Sequence, residues 1–169
     1  MLVREYISFQ RGGEPKRTLG IGAYHLIEEW LKDHEVYNYT INDDMTIDVE
    51  GTVDFTNRGA KIYDGLPEYI NFNKIRGNFW AYQNDLISLR GVPEIVTKSF
   101  SCSQNSLTSF EHCPTFIGKD FFCYKNKFTS LDFFPKYVGH DIEIDDSFTE
   151  EEIRNICNVG NDIIIKIKR

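Results

Sequence analysis

A block of 21 residues recurs without gaps through the middle of this chain, and the repeat limits the fold more than any other feature. The three clearest copies cover residues 78–98, 99–119 and 120–140. The aligned columns include Phe79, Phe100 and Phe121; Ala81, Cys102 and Cys123; Asn84, Asn105 and Asn126; and Pro93, Pro114 and Pro135. One copy is too short to bury its own apolar face, so the copies must stack to form a continuous core.

The pattern extends in both directions beyond these copies. Upstream, Val53 and Phe55 fall in the same columns, and downstream Ile142 and Ile144 open a fifth strand. The asparagine column is occupied at the two ends by Arg58 and Ser147, as expected for atypical terminal repeats. The sequence therefore predicts a solenoid over residues 52–147, in which each repeat gives one short parallel strand and a return loop.

The repeat can be written F-x-C-x-x-N-x-L-x-S-L-x-x-x-P-x-x-V, which resembles the leucine-rich repeat L-x-x-L-x-L-x-x-N-x-L. It uses Phe and Cys where Leu is usual, so it is most similar to irregular variants from bacteria and their phages. The stretches "FQRGGEPKRTLGIG" and "YTINDDMTIDVEGTVDF" resemble the start of small uncharacterised phage-encoded repeat proteins. The resemblance implies an α+β fold, a short leucine-rich-repeat-like solenoid, and a host protein as a natural target.

The segments that flank the repeats predict caps for the solenoid. Residues 22–51 are expected to form an N-terminal cap, because 22–34 has a helical apolar stripe and the following residues alternate like a strand or hairpin. Residues 148–169 predict a C-terminal helix-strand cap with Thr149 as the helix N-cap. Residues 1–21 are expected to form a mobile basic arm, either a solvated linker or a grip on an acidic partner, that contains Arg11, Lys16 and Arg17.

Alternation along each predicted strand separates core residues from surface residues. Phe79 and Ala81 are expected to point inward, as do their equivalents in the next repeats. The residues expected on the outer, concave face are Trp80, Tyr82, Ser101, Ser103, Phe122 and Tyr124. The two serines should leave a shallow gap between aromatic pairs, and contiguous exposed aromatics often mark a binding surface. The alternatives are cover by a second copy of the chain in a homo-oligomer, or by the N-terminal helix.

Composition restricts the classes of partner and compartment. The net charge of −7 argues against nucleic-acid binding, which favours a basic surface. No apolar run is long enough for a membrane span, and the first residues lack the apolar region of a secretory signal, so a cytoplasmic location is expected. The four cysteines form no C-x-x-C pair, so we expect reduced structural thiols, with Cys113 partly exposed on its loop.

No constellation of residues predicts catalysis. The four histidines are dispersed, and the sequence has no P-loop, H-E-x-x-H or G-x-S-x-G motif. The acidic stretch 141–146 is interpreted as a solvated edge rather than a metal site. We therefore expect no catalytic residue, metal or cofactor. The sequence favours a non-enzymatic protein-interaction module, and the alternative is a small-molecule binder that stacks a nucleotide-like ring on the concave aromatics.

Overall fold

The computed structural model describes residues 16–56 and 65–166, with side chains from Gly22 onward. Helix α1 (Lys16–Asp33) comes first, short strands follow, and helix α2 (Glu150–Arg154) precedes the last two strands. The strands form two sheets. Sheet A contains β1 (Tyr39–Ile41), β2 (Ile47–Val49), β4 (Phe72–Ile75), β6 (Ile95–Val96), β8 (Phe116–Ile117), β10 (Tyr137–Val138) and β12 (Asn158–Val159). Sheet B contains β3 (Val53–Asp54), β5 (Phe79–Trp80), β7 (Phe100–Ser101), β9 (Phe121–Phe122), β11 (Ile142–Asp145) and β13 (Ile163–Lys166).

The repeat is a parallel-strand solenoid, as the sequence predicts, and its register follows the 21-residue period. Phe79 pairs with Phe100, which pairs with Phe121, and these three residues occupy one position on successive rungs of sheet B. Each turn of the solenoid therefore adds one rung, and equivalent residues of the repeat lie directly above one another. The predicted strands at the aromatic columns are confirmed by this pairing.

The expectation of a single strand per repeat is wrong. The segment after each proline, interpreted as part of the return loop, forms the short strands of sheet A, in which Ile95 pairs with Phe116 and Phe116 pairs with Tyr137. These strands carry a fully buried branched residue, Val96 or its equivalent, at their second position. A rung of 21 residues is long enough to run along both sides of the core. Each rung can therefore pair its backbone with the neighbouring rungs in both sheets.

The corner that joins the two sheets leaves no room for a side chain at Gly118 or Gly139. A Cβ atom built on Gly118 would lie 2.2 Å from the carbonyl oxygen of Thr97, and one built on Gly139 would lie 2.2 Å from that of Gly118. Backbones of successive rungs approach closely here, so glycine is required for steric reasons. The sheets consequently meet within a few residues, for example between Val96 and Phe100.

A stack of phenylalanine rings forms the centre of the solenoid. The ring centroids of Phe79 and Phe100 are 5.8 Å apart, those of Phe100 and Phe121 are 5.6 Å apart, and all three side chains are fully buried. Ala81, together with Cys102 and Cys123, fills the next inward column. The inward half of the predicted alternation is therefore confirmed.

The N-terminal end is covered by helix α1 and a hairpin. Ile27 and Leu31 are buried, and the Trp30 ring packs edge-on against Phe55 at 5.7 Å between centroids. Strands β1 and β2 are antiparallel, and β2 continues sheet A by pairing with β4. The helix begins at Lys16, earlier than the apolar stripe predicts, so Lys16 and Arg17 of the predicted arm belong to it.

Parts of three predicted segments fall outside the described residues. They are residues 1–15 of the predicted basic arm, which include Arg11, residues 57–64, which include Arg58 of the first predicted repeat, and residues 167–169 of the predicted C-terminal cap.

The C-terminal end differs from a simple cap. Thr149 caps helix α2 as predicted, and its side chain and that of Glu152 form a reciprocal capping box. The two strands that follow then extend both sheets, with Ile163 paired to Ile142. The solenoid therefore continues for one rung beyond residue 147. Within the described part of the chain, no helix is long and apolar enough to cross a membrane.

Candidate binding cleft

Four aromatic side chains project from the outer surface of sheet B. Trp80 and Tyr82 belong to the rung of β5, and Phe122 and Tyr124 belong to the rung of β9. Each is half-buried, whereas Phe79 on the same strand is fully buried. The structure thus places these four residues on the outward side, as alternation predicts.

The two serines between the aromatic pairs are buried, which differs from the expected open gap. Ser101 and Ser103 are only 4% and 3% exposed. Their rung separates the aromatic pairs by roughly 10 Å of backbone, yet the Trp80 and Phe122 rings lean over it to a centroid distance of 6.3 Å. The serine hydroxyls share a hydrogen bond of 3.1 Å. They therefore form the floor of a cleft and do not present an exposed contact surface.

This aromatic cleft is an open depression of about 480 Å³. Its lining consists of Asp54, Trp80, Tyr82, Ser101, Ser103, Gln104, Phe122 and Tyr124. Described side chains of helix α1 are not part of that lining, because they pack against Phe55 inside the solenoid. The intrachain cover considered from the sequence is thus not provided by this helix.

Polar groups border the cleft at both ends. On the β3 side, the Asp54 carboxylate accepts the backbone N–H of Thr56 at 2.8 Å. On the β13 side, the Lys166 ammonium lies 5.8 Å from the centre of the Tyr124 ring and 3.1 Å from the Glu143 carboxylate. The cleft can therefore offer aromatic faces and carboxylate oxygens to one ligand.

Two asparagines of the repeat column, Asn105 and Asn126, are buried and fix the ends of the sheet B strands. The Asn105 amide donates to the carbonyl oxygens of Ala81 and Cys102, both at 2.9 Å. Its oxygen accepts the backbone N–H groups of Asn84 and Leu86 at 2.9 and 3.0 Å. One rung later, the Asn126 amide donates to the carbonyl oxygens of Cys102 and Cys123, and its oxygen accepts the backbone N–H of Leu107. These amides satisfy buried backbone groups. They also link neighbouring rungs and so fix the backbone that carries the aromatic pairs.

Asp145 continues the asparagine ladder at the next rung, where the sequence alignment assigned Ser147. The Asp145 carboxylate is 3% exposed and accepts the backbone N–H groups of Lys125 and Asn126 at 2.8 and 3.0 Å. Asp145 lies two residues before Ser147, the position that the 21-residue period assigns to this column.

A second polar ladder was missed by sequence reasoning. At the sheet corner, the side chain of each member accepts the backbone N–H of the equivalent residue on the next rung, at distances between 3.1 and 3.5 Å. Its acceptors are Asn78, Ser99, Asp120 and Asp141. The signal was available, since this column of the repeat holds only short side chains with an oxygen acceptor.

The cysteines are all free and buried, including Cys113, so its expected partial exposure is wrong. Desolvation raises the pKa of Cys102, Cys113 and Cys123 well above that of a free thiol, and raises the pKa of Cys157 to about 11. Buried neutral thiols pack as small apolar groups and are poor nucleophiles.

The acidic residues near the last rungs are used by the backbone. Asp141 accepts the N–H of Asp162 at 3.2 Å, and Asp145 belongs to the asparagine ladder. No group of three or more potential metal ligands is found among the residues that the structure describes. His140 lies 3.7 Å from the Asp120 carboxylate, at an exposed corner remote from the aromatic cleft.

A smaller aromatic surface on sheet A was also missed. Phe116 is 38% exposed, and its ring stacks on that of Tyr137 at 4.8 Å with an interplanar angle of 7°. Ile95 precedes them in the same column. The repeat aligns Ile95, Phe116 and Tyr137 in the column before the buried Val96 equivalents. This apolar column was visible in the sequence, but the segment was interpreted as a loop.

The sequence matches no protein-family model, and neither a curated protein nor a solved structure is significantly similar to it. The fold itself defines the class: a parallel two-sheet β-solenoid with a helix at its N-terminal end. The aromatic cleft is one of several open depressions on the described residues, and it is lined by four aromatic side chains.

Proposed function

We propose that this protein is a non-enzymatic protein-interaction module and that it binds its partner through the aromatic cleft. The observation that supports this proposal is the convergence of Trp80, Tyr82, Phe122 and Tyr124 on one open depression. Neighbouring residues on the same strands build the core, so the fold does not require large rings at the outward positions. Tyrosine, tryptophan and phenylalanine are enriched at the centres of protein interfaces.

The strands that carry the aromatic rings are rigidly held, and this favours recognition of a macromolecule. Each outward pair is held by backbone pairing to the adjacent rungs and by an inward asparagine at the strand end. Solenoids use such stacked rungs as extended binding surfaces. Little conformational entropy is then lost by the protein on binding.

The setting is part of the same proposal. The 21-residue repeat resembles irregular leucine-rich repeats of bacteria and phages, so we propose a phage-related origin and a host protein in the cytoplasm as the target. The repeat and the resemblance of the N-terminal stretches support this origin.

A second candidate function is the stacking of a flat ring on the open face of Trp80 or Tyr82. The cleft volume of about 480 Å³ is in the range of small-molecule sites. The carboxylate of Asp54 at the border opposes an anionic phosphate, so a neutral ring fits this candidate better than a nucleotide.

Capture from a bacterial lysate with paired variants tests the proposed function. The double variant Trp80→Ala/Tyr124→Ala removes rings from the aromatic cleft, and Phe116→Ala/Tyr137→Ala removes two rings from sheet A as a matched control. We expect a partner that the unmodified protein and the control retain and the cleft variant loses, with each anchor contributing about 2 kcal/mol. Retention by the cleft variant with loss by the control would overturn the proposal.

A further inference from the structure

We infer that the aromatic cleft recognises an arginine side chain of the partner, with the guanidinium stacked on the aromatic rings and its charge directed at Asp54. This inference rests on the proposed function and specifies the chemistry of the partner. It follows from the order of residues along the outer column of sheet B, from the charge of the lining, and from a cation that the chain already holds at one end.

The outer column has a nearly symmetric order. Strand pairing sets Asp54 beside Trp80, Trp80 beside Ser101, Ser101 beside Phe122, and Phe122 beside Glu143. Two aromatic rings thus flank a small central residue, and a carboxylate borders each ring. Adjacent rungs are roughly 4.8 Å apart, which brings each carboxylate within reach of a cation on the neighbouring ring.

One half of this arrangement already holds a cation from the chain itself. The Lys166 ammonium is 3.1 Å from Glu143 and 5.8 Å from the Tyr124 ring centre. A carboxylate and an aromatic face therefore act together on a positive charge at the β13 end of the cleft. The equivalent residues at the other end are Asp54 and Tyr82, and Trp80 lies directly beside Asp54 in the outer column.

The Asp54 end lacks such a cation within the described part of the chain, where no basic side chain lies at ion-pair distance from that carboxylate. Asp54 is exposed and is the only charged side chain among the described residues that line the cleft. The chain also has a net charge of −7, which attracts a cationic segment. Charge complementarity therefore favours a basic side chain at this end.

Arginine fits this environment better than lysine. Its guanidinium is planar, weakly hydrated and able to stack on an aromatic face while its N–H groups donate to a carboxylate. The floor serines are buried and hydrogen-bonded to each other, so stacking on rings and pairing with Asp54 are the contacts that the cleft offers. The guanidinium would stack on the outer faces of the Trp80 and Phe122 rings, which cover Ser101.

Two matched peptides test the inference on the full chain by following the indole N–H signal of Trp80 in proton–nitrogen NMR spectra. The chain has two tryptophans, so Trp80→Phe assigns the signal. The probes are the acetylated, amidated peptides Gly-Ser-Gly-Arg-Gly-Ser-Gly and its citrulline counterpart, which has nearly the same shape without the charge. We expect the arginine peptide to bind at least about fivefold more tightly, the scale of a partly desolvated cation–π contact with an ion pair.

Asp54→Asn should reduce the affinity for the arginine peptide about fivefold and leave that for the citrulline peptide unchanged. The control is Asp43→Asn, which makes the same charge change at an exposed turn between β1 and β2. Equal binding of both peptides, no shift of the Trp80 signal with either, or equal effects of the two aspartate variants would overturn the inference. A larger Trp80 shift with adenosine would also overturn it, in favour of ring binding.

The outcomes separate this inference from the proposed function. If the peptides bind equally while Trp80→Ala/Tyr124→Ala still abolishes partner capture, the interaction surface stands and its arginine specificity fails. If capture is independent of the cleft rings, the proposed function itself fails.

Discussion

Replacement of Asn105 by alanine should destabilise the solenoid through the backbone groups that lose their partner. The amide oxygen accepts two N–H groups, from Asn84 and Leu86, and the amide nitrogen donates to Ala81 and Cys102. The Cys102 carbonyl keeps a second donor, Asn126, at 3.0 Å, so the cost falls mainly on the two N–H groups and the Ala81 carbonyl. At about 1 kcal/mol for each such group, we expect a loss of roughly 3 kcal/mol in the free energy of unfolding.

Urea unfolding followed by circular dichroism measures this loss, with Asn84→Ala as the matched control. Asn84 occupies the same column, but among the described residues its amide donates only to Tyr82 within its own turn, and its side chain is half-buried. The control should therefore lose less than about 1 kcal/mol. Equal unfolding midpoints for Asn105→Ala and the unmodified protein would refute the ladder and the register that depends on it.

Further predictions concern the thiols and the sheet corner. Ellman's reagent should detect four thiols after denaturation and few in the native protein, because all four are buried and reduced; two or fewer after denaturation would indicate a disulfide. Burial raises the thiol pKa in the folded state, to about 11 for Cys157, whereas thiols of the unfolded chain ionise near pH 8.5. The stability that the buried thiols contribute is therefore complete below about pH 8.5. It is lost as the pH rises from about 8.5 toward 11. A stability that stays constant over this range would contradict their burial. Gly118→Ala should cost about 1–3 kcal/mol in thermal unfolding, since its Cβ would meet the Thr97 carbonyl; an unchanged midpoint would argue against the close corner.

Periodicity predicted the parts of the fold that depend on one repeated column. The inward phenylalanines and asparagines and the outward aromatics follow directly from a period of 21 combined with strand alternation. The cap of α2 was also predictable, because Thr149 and Glu152 have the spacing of a capping box.

The second sheet was harder to predict because its strands are only two residues long at most rungs. A pair of residues gives no alternation to detect, and the adjacent proline and glycine suggest a loop. The buried Val96 column was visible, but a buried residue in a return loop has the same pattern as one in a short strand.

The depth of the cleft could not be predicted from the columns. Serine between two aromatic pairs indicates a gap, but the tilt of Trp80 and Phe122 over Ser101 depends on side-chain rotamers. Strand alternation also placed Asp54 in the outward column before Trp80, and the register of β3 against β5 confirms that position. Sequence alone therefore located the aromatic surface and the carboxylate beside it, but not the depth of the cleft.

The central claim is that neighbouring residues on each sheet B strand have separate roles, one in the core and the next at the binding surface. The free energies of unfolding of Phe100→Ala and Trp80→Ala, measured side by side in urea, test it most directly. Phe100 is fully buried between two rings, so its removal should cost roughly 3–5 kcal/mol. Trp80 is half-buried, and among aromatic rings it contacts only Phe122 in the described part of the chain, so its removal should cost about 1 kcal/mol. Equal losses would make Trp80 part of the core and would contradict the assignment of this face to partner binding.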